Sequence, residues 1–216
     1  MSKTEGPAFV VYRYAMRAGR RCTGAILLAA GFSRRFGAIK LRASLPDGTS
    51  MLEQCFKNIS QVTDNIIVVG REDLRDAGTY SFLPSATGLQ FVICPDAASG
   101  MGHSLASAIP HIPDSWTSAM VCLGDMPFIQ PATLQAIIDN SNEDNIVTPT
   151  WQSKRGHPVS FGRRYFSGLA ASSGDTGGRH LIRHHSHHVV EVQTDDPGIV
   201  QDIDTQEALQ QYTRQS

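Results

Sequence analysis

The chain has 216 residues, of which 41% are hydrophobic, 18% charged and 7% aromatic. That composition excludes disordered, collagen-like and coiled-coil chains, and a chain of this size buries about 70% of its unfolded surface, enough for a core without staples. With 19 Lys and Arg against 20 Asp and Glu the formal charge is −1, which argues against a general nucleic-acid binder. No apolar run approaches the roughly 20 residues needed to cross a bilayer.

Residues 1–22 carry Lys3, Arg13, Arg17, Arg20 and Arg21. The apolar run from Ala8 to Tyr12 is shorter than the about 7–15 residues of a signal-peptide core. This stretch is expected to be a loose basic extension ahead of a single domain spanning 23–216. Short apolar runs then follow: Ala25–Ala30, Asn65–Gly70, Leu89–Cys94, Ala119–Gly124 and Asn145–Thr148, the last expected to stop at Pro149. Continuous runs of this length are strands covered on both faces. Between them, Met51–Ile59, Met101–Ile109 and Pro131–Asn140 have helical character, with Pro131 suited to a first turn. Strand–helix alternation predicts an α/β fold with a mostly parallel sheet and right-handed crossovers. Past residue 150, Gly156–Gly162 and Val189–Gln193 are further predicted strands. An Asp204 or Thr205 cap followed by Glu207 opens a final helix.

The four cysteines, Cys22, Cys55, Cys94 and Cys122, form no C-x-x-C pair, so zinc knuckles and thioredoxin-like motifs are not expected. Each lies in or beside an apolar stretch, as expected of reduced thiols in a cytoplasmic protein.

In an open parallel sheet, ligands bind beyond the carboxyl ends of the strands, so the residues after each run carry the chemistry. The first such place is Leu28 to Lys40, LAAGFSRRFGAIK. Gly31 and Gly37 let the backbone approach a ligand, and Arg34, Arg35 and Lys40 suit a polyphosphate. The register fits neither a P-loop nor a dinucleotide-binding motif, and an ordinary glycine turn with solvated basic residues is the alternative. The second is Asp125 in Gly124-Asp-Met-Pro127, a carboxylate placed to hold Mg²⁺ or simply to close a turn. The third is Asp202-Ile-Asp204, whose carboxylates share a side if the segment is extended. Ser99 to Ser104 is a glycine-containing turn into a helix, either a base or ribose contact or a plain helix entry.

LAAGFSRRFGAIK resembles the L-A-[AG]-G-x-S-x-R-[MF]-G-x-x-K signature of the MobA-like nucleotidyltransferases, and GDMP resembles their metal-binding G-D-x-P. Gly156-His-Pro158 with Phe161, Gly174-Asp-Thr-Gly-Gly-Arg179 and Asp202-Ile-Asp-Thr205 resemble, in order, later blocks of the molybdenum cofactor cytidylyltransferases. The resemblance runs from about Gly24 to the C-terminus. It implies a three-layer, Rossmann-like nucleotidyltransferase that joins the α-phosphate of a nucleoside triphosphate to an acceptor phosphate and releases pyrophosphate. By position, Leu28, Ala29, Ala30, Gly31 and Ser33 would line the nucleotide pocket, with Gly102 and Ser104 as further contacts. Arg35 and Lys40 would neutralise the triphosphate. Asp125 with Asp204, or else Asp202, would hold Mg²⁺, and His157, Asp175 and Arg179 would meet the acceptor. Arg35, Lys40 and Asp125 form the implied catalytic set.

Ala30 resembles the cytidylyl type, whereas the guanylyl type more often has Gly there. CTP is therefore the favoured donor and a molybdopterin-type cofactor the acceptor, with a molybdoenzyme or its chaperone as a protein partner and no nucleic acid or membrane partner. The alternatives are a guanylyltransferase of the same family, a sugar- or polyol-phosphate nucleotidyltransferase, and a nucleotide-binding chaperone that delivers cofactor without turnover. All of these require Lys40 and Asp125 to face one cavity. His180, His184, His185, His187 and His188 include pairs four apart that could hold a metal on a helix, but the following Val-Val-Glu-Val points to a solvated helix end.

Overall fold

The computed structural model describes residues 11–13, 22–32, 36, 39–86, 88–205 and 208–209. After a short β1 (Val11–Arg13) come β2 (Cys22–Leu28), β3 (Ile66–Gly70), β4 (Leu89–Ile93) and β5 (Trp116–Leu123). The second half contributes β6 (Ile146–Trp151), β7 (Lys154–Arg155), β8 (Val159–Gly162) and β9 (Val189–Gln193). They form one sheet in the order β1-β4-β3-β2-β5-β8-β6-β7, with β9 beside β6. The central strands β4, β3, β2 and β5 run parallel. β8 reverses direction against both β5 and β6.

The apolar runs are continuous because the sheet is covered twice. Ala25, Leu27 and Ala29 point into one core, packed by α1 (Met51–Ser60) and Leu74 of α2 (Glu72–Asp76). Ile26, Leu28 and Ala30 point into the other, packed by α3 (Met101–Ala108). α4 (Pro131–Asn140) lies on the first face, while α5 (Phe166–Ala170) and α6 (Arg179–His184) lie on the second. The result is the expected α/β architecture of three layers.

The sequence and the structure differ at three places. β6 runs through Pro149 instead of stopping there: its partner changes from β8, paired at Ile146 and Val147, to β7, paired at Thr150 and Trp151. A missing N–H is least costly at such a change of partner. α2 and α5 were not anticipated, because five residues are too few to establish a 3.6-residue period, whereas α6 ends at His184, inside the histidine stretch where a helix end was expected. Within the basic stretch before residue 22, Val11–Arg13 pairs antiparallel with β4 as an edge strand. At the C-terminus, the Ala208 N–H donates to Thr205 Oγ1 at 3.1 Å. Thr205, one of the two predicted caps, therefore takes that place.

Buried Asp196 ties the strap at 196–204 to the body. Its Oδ2 accepts from the Gln130 N–H and from Thr133 Oγ1, both at 2.8 Å, and its Oδ1 accepts from the Gly198 N–H at 2.9 Å. Asp196→Ala would leave the N–H groups of Gln130 and Gly198 and the buried Thr133 hydroxyl without this acceptor. It is expected to lower unfolding stability by about 3 kcal/mol or more, measured by urea denaturation.

Candidate active site

Beyond the carboxyl end of β2 the chain stays buried through Ala29 and Ala30, and Ala29 is held on both sides. Its N–H donates to the Val69 carbonyl at 2.8 Å, and its carbonyl accepts from the Tyr80 hydroxyl at 2.8 Å. Burial raises the Tyr80 pKa to about 12, so the phenol remains a donor at neutral pH. The turn after β5 is fixed just as firmly. Gly124 N–H donates to the Leu28 carbonyl at 3.0 Å, and Ile203 N–H donates to the Asp125 carbonyl at 3.1 Å. Asn58, buried on α1, donates to the carbonyls of Pro127 and Ile129 at 2.9 and 3.0 Å.

These braces bring three distant residues to one point. Lys40 Nζ donates to Asp125 Oδ2 at 2.9 Å and to Asp204 Oδ1 at 2.6 Å. The Lys40 side chain is only 8% exposed. Burial alone would push its pKa down, but the two carboxylates outweigh this and hold it above the ordinary lysine value. Lys40 is thus a fixed cation at neutral pH.

All three residues line a cleft of about 470 Å³ at the carboxyl rim, a size suited to a nucleotide-scale ligand. Among the described lining residues, Asp125, Asp175 and Asp204 supply three carboxylates against the single ammonium of Lys40. A bound cation would offset these carboxylates for an entering triphosphate. No group of three or more metal-ligating side chains occurs among the described residues. A carboxylate pair with room for phosphate oxygens fits Mg²⁺, which takes one or two carboxylates and completes its shell with substrate and water.

A second cleft of about 430 Å³ adjoins the first, and the two share Leu28, Met101 and Leu123 as wall residues. It is largely apolar, with His157, Arg179 and Asp202 among its polar groups. His157 Nδ1 is buried and has no hydrogen-bond partner among the described residues. Burial pushes the His157 pKa below its usual range; Asp125 and Asp202 pull it up, and Arg179 pushes it further down. The imidazole is therefore neutral at pH 7. Between the folded and unfolded pKa values the unfolded chain binds more protons, so stability rises with pH in that window and is lost below about pH 6.5. His157→Gln is expected to shrink the stability difference between about pH 5 and about pH 7.5, read by urea midpoints.

The predicted site residues divide as follows. Leu28, Ala30, Gly31, Ser104, Lys40, Asp125, Asp175 and Asp204 line the first cleft. Asp175 thus stands with the nucleotide group, apart from His157 and Arg179. Asp202 lies in the second cleft, separated from the Lys40 cluster. Ala29 turns its side chain into the core on the opposite face. Gly102 packs against the neighbouring loop: a Cβ there would lie 2.7 Å from the Ser173 carbonyl. Gly100, at φ +113°, meets Gly174 more closely still: a Cβ there would lie 2.4 Å from the Gly174 carbonyl carbon. The turn from 172 to 178 therefore rests on the entry to α3, with Asp175 at one cleft and Arg179 at the other. Ser33 and Arg35 lie outside the described residues. Burial pushes the thiols of Cys55 and Cys122 well up, which makes them packing groups and not nucleophiles.

Phe32 and Ala97–Gly100 also line the first cleft and were not singled out from the sequence, except for Ser99 and Gly100. Ala97 follows β4 and Phe32 follows β2, so reading every strand's carboxyl end would have found both.

Comparison with known proteins places this geometry. The MobA-like NTP transferase domain family matches residues 25–189. A protein from Methanosarcina mazei named "Probable molybdenum cofactor guanylyltransferase" is 22% identical over 65% of this chain and 62% of its own length; the chain thus spans about three-fifths of that relative. The purine catabolism protein PucB of Bacillus subtilis is 27% identical over 88% of this chain and 95% of its own. Rv0371c from Mycobacterium tuberculosis H37Rv superposes with a TM-score of 0.78 at 26% identity, covering 91% of this chain and 99% of that one. Its complex with manganese superposes with a TM-score of 0.74 at 25% identity, covering 91% and 100%. With three-quarters of its length matched, a nucleotide-sized cleft at the carboxyl rim and a Lys–Asp–Asp cluster within it, the chain belongs to the MobA-like NTP transferase family.

Proposed function

We propose that this protein is a Mg²⁺-dependent nucleotidyltransferase that moves a nucleotidyl group from a nucleoside triphosphate to the phosphate of a molybdopterin-type cofactor. The observation that carries the reading is the meeting of Lys40, Asp125 and Asp204 in one cleft, beside a second cleft that has room for an acceptor. An acceptor phosphate oxygen bonds to the α-phosphorus, the α–β bridging bond breaks, and pyrophosphate leaves. The acceptor is already a nucleophile, so no Ser or Cys is needed, in keeping with the raised cysteine pKa values. The protein positions the reactants and offsets charge. A bound divalent cation would supply Lewis-acid stabilisation of the phosphate oxygens, held by Asp125 and Asp204. Lys40 orients both carboxylates and adds a positive charge beside the departing phosphates. His157, neutral with a free Nδ1, offers a hydrogen bond to the acceptor, and Arg179 offers it a charge.

CTP is the donor that Ala30 favours. GTP is the second reading, supported by the name of the M. mazei relative; one methyl group separates donors by only about 1–3 kcal/mol. The deciding assay incubates the protein with Mg²⁺, molybdopterin cofactor and each of the four triphosphates, and follows pyrophosphate. Release with CTP supports the cytidylyl reading, and release with GTP alone moves the protein to the guanylyl type. Release only with sugar or polyol phosphates reassigns the acceptor. Triphosphate binding without release under any condition leaves a cofactor-delivery role.

A further inference from the structure

Among the described residues, only Phe32 and Val190 are large hydrophobic side chains left exposed, Phe32 at 45%. Phe32 is one of the residues lining the first cleft. The guanidinium of Arg71, which follows β3, sits 3.6 Å from the centroid of the Phe32 ring. Three of the five Arg71 guanidinium donors are engaged: Nε and Nη2 donate to the two oxygens of Asp73 at 3.0 and 2.9 Å, and Nη1 donates to the Gly31 carbonyl at 3.5 Å. Its N–H donates to the Tyr80 hydroxyl at 3.1 Å, the same hydroxyl that grips Ala29. An arginine whose bidentate fork and charge are taken up by a carboxylate is poorly placed to bind phosphate. What it does is hold an aromatic ring in a fixed position at the cleft wall.

The position along the rim identifies what the ring meets. The strands run β4, β3, β2, β5 across the sheet. Asp125 follows β5 and draws Lys40 and Asp204 to it, whereas Phe32 follows β2 and leans toward β3 through Arg71. Adjacent strands are about 4.8 Å apart, so moving from Asp125 toward Arg71 crosses the width of a nucleotide, away from the charged end. The ligand group expected there is flat, uncharged and heteroaromatic. We propose that Phe32, backed by Arg71 and Asp73, is the platform on which the nucleobase stacks, and that it contributes affinity in proportion to ring area. This rests on the nucleotidyltransferase reading above and adds a specificity residue to it.

The test separates base from phosphate. Binding of Mg²⁺-loaded GTP, CTP and inorganic tripolyphosphate is measured by calorimetry on the wild type, Phe32→Leu, Phe32→Trp and Arg71→Met. Phe32→Leu keeps bulk but removes the π face. It is expected to weaken GTP by about tenfold or more and CTP by less, as loss of a base-stacking partner does. Tripolyphosphate is expected to bind unchanged. Phe32→Trp should restore nucleotide affinity, and Arg71→Met should weaken both nucleotides while sparing tripolyphosphate. Equal losses for tripolyphosphate, or no loss for either nucleotide in Phe32→Leu, would overturn the platform while leaving the transferase reading in place. A wild-type protein that binds tripolyphosphate and nucleotides equally weakly would instead remove the transferase reading itself.

Discussion

Asp125→Asn is expected to lower kcat/KM for pyrophosphate release by about a thousandfold, the scale of losing a preorganised charge at the reacting phosphates, and to abolish tight Mn²⁺ binding. The fold around Asp125 is held by its backbone, not by its carboxylate: its carbonyl accepts from Ile203, and the neighbouring Pro127 and Ile129 carbonyls accept from Asn58. The asparagine keeps shape and one acceptor oxygen, so Lys40 retains a hydrogen bond there and the carboxylate of Asp204 as its counter-charge. Unfolding stability should therefore change little beside the loss of activity. Titrating Mn²⁺ by electron paramagnetic resonance, without nucleotide, checks the metal claim independently of turnover. Wild-type-like Mn²⁺ affinity in this variant would exclude Asp125 as a ligand.

The parts of the site legible in the sequence were those written in the strand ends. Lys40 and Asp125 sit 85 residues apart in the chain and 2.9 Å apart in space, and the rule that ligands bind at the carboxyl rim was enough to connect them. Asp204 was ambiguous because Asp and Thr both cap helices. Only the structure shows Thr205 taking that role, so that Asp204 reaches Lys40. Side-chain direction at Ala29 and Ala30 follows from strand alternation, which continues past β2 and sends one methyl to each core. Asp175 was grouped with Arg179 by the motif resemblance, yet the tight turn resting on Gly100 and Gly102 aims them at different clefts. The Phe32–Arg71 stack was invisible, because a contact across 39 positions leaves no periodic or motif signal.

Lys40→Met is expected to have the opposite effect on metal from Asp125→Asn, with a comparable loss of turnover. In the folded protein Lys40 is the cation that allows Asp125 and Asp204 to approach one another: its Nζ lies 2.9 and 2.6 Å from their oxygens. Methionine fills similar volume without charge. The two carboxylates would then repel across the same space. A divalent cation relieves that repulsion directly, so Mn²⁺ affinity should hold or rise. Turnover should nevertheless fall by about a hundredfold to a thousandfold, because charge on the leaving pyrophosphate loses its fixed lysine partner. Stability should drop as well in the absence of metal and recover as Mn²⁺ is added, by mass action on the folded state. Thermal melts of the wild type and of Lys40→Met across an Mn²⁺ series measure this. If the variant's melting temperature responds to Mn²⁺ less than that of the wild type, Lys40 does not stand between the two carboxylates as their counter-ion.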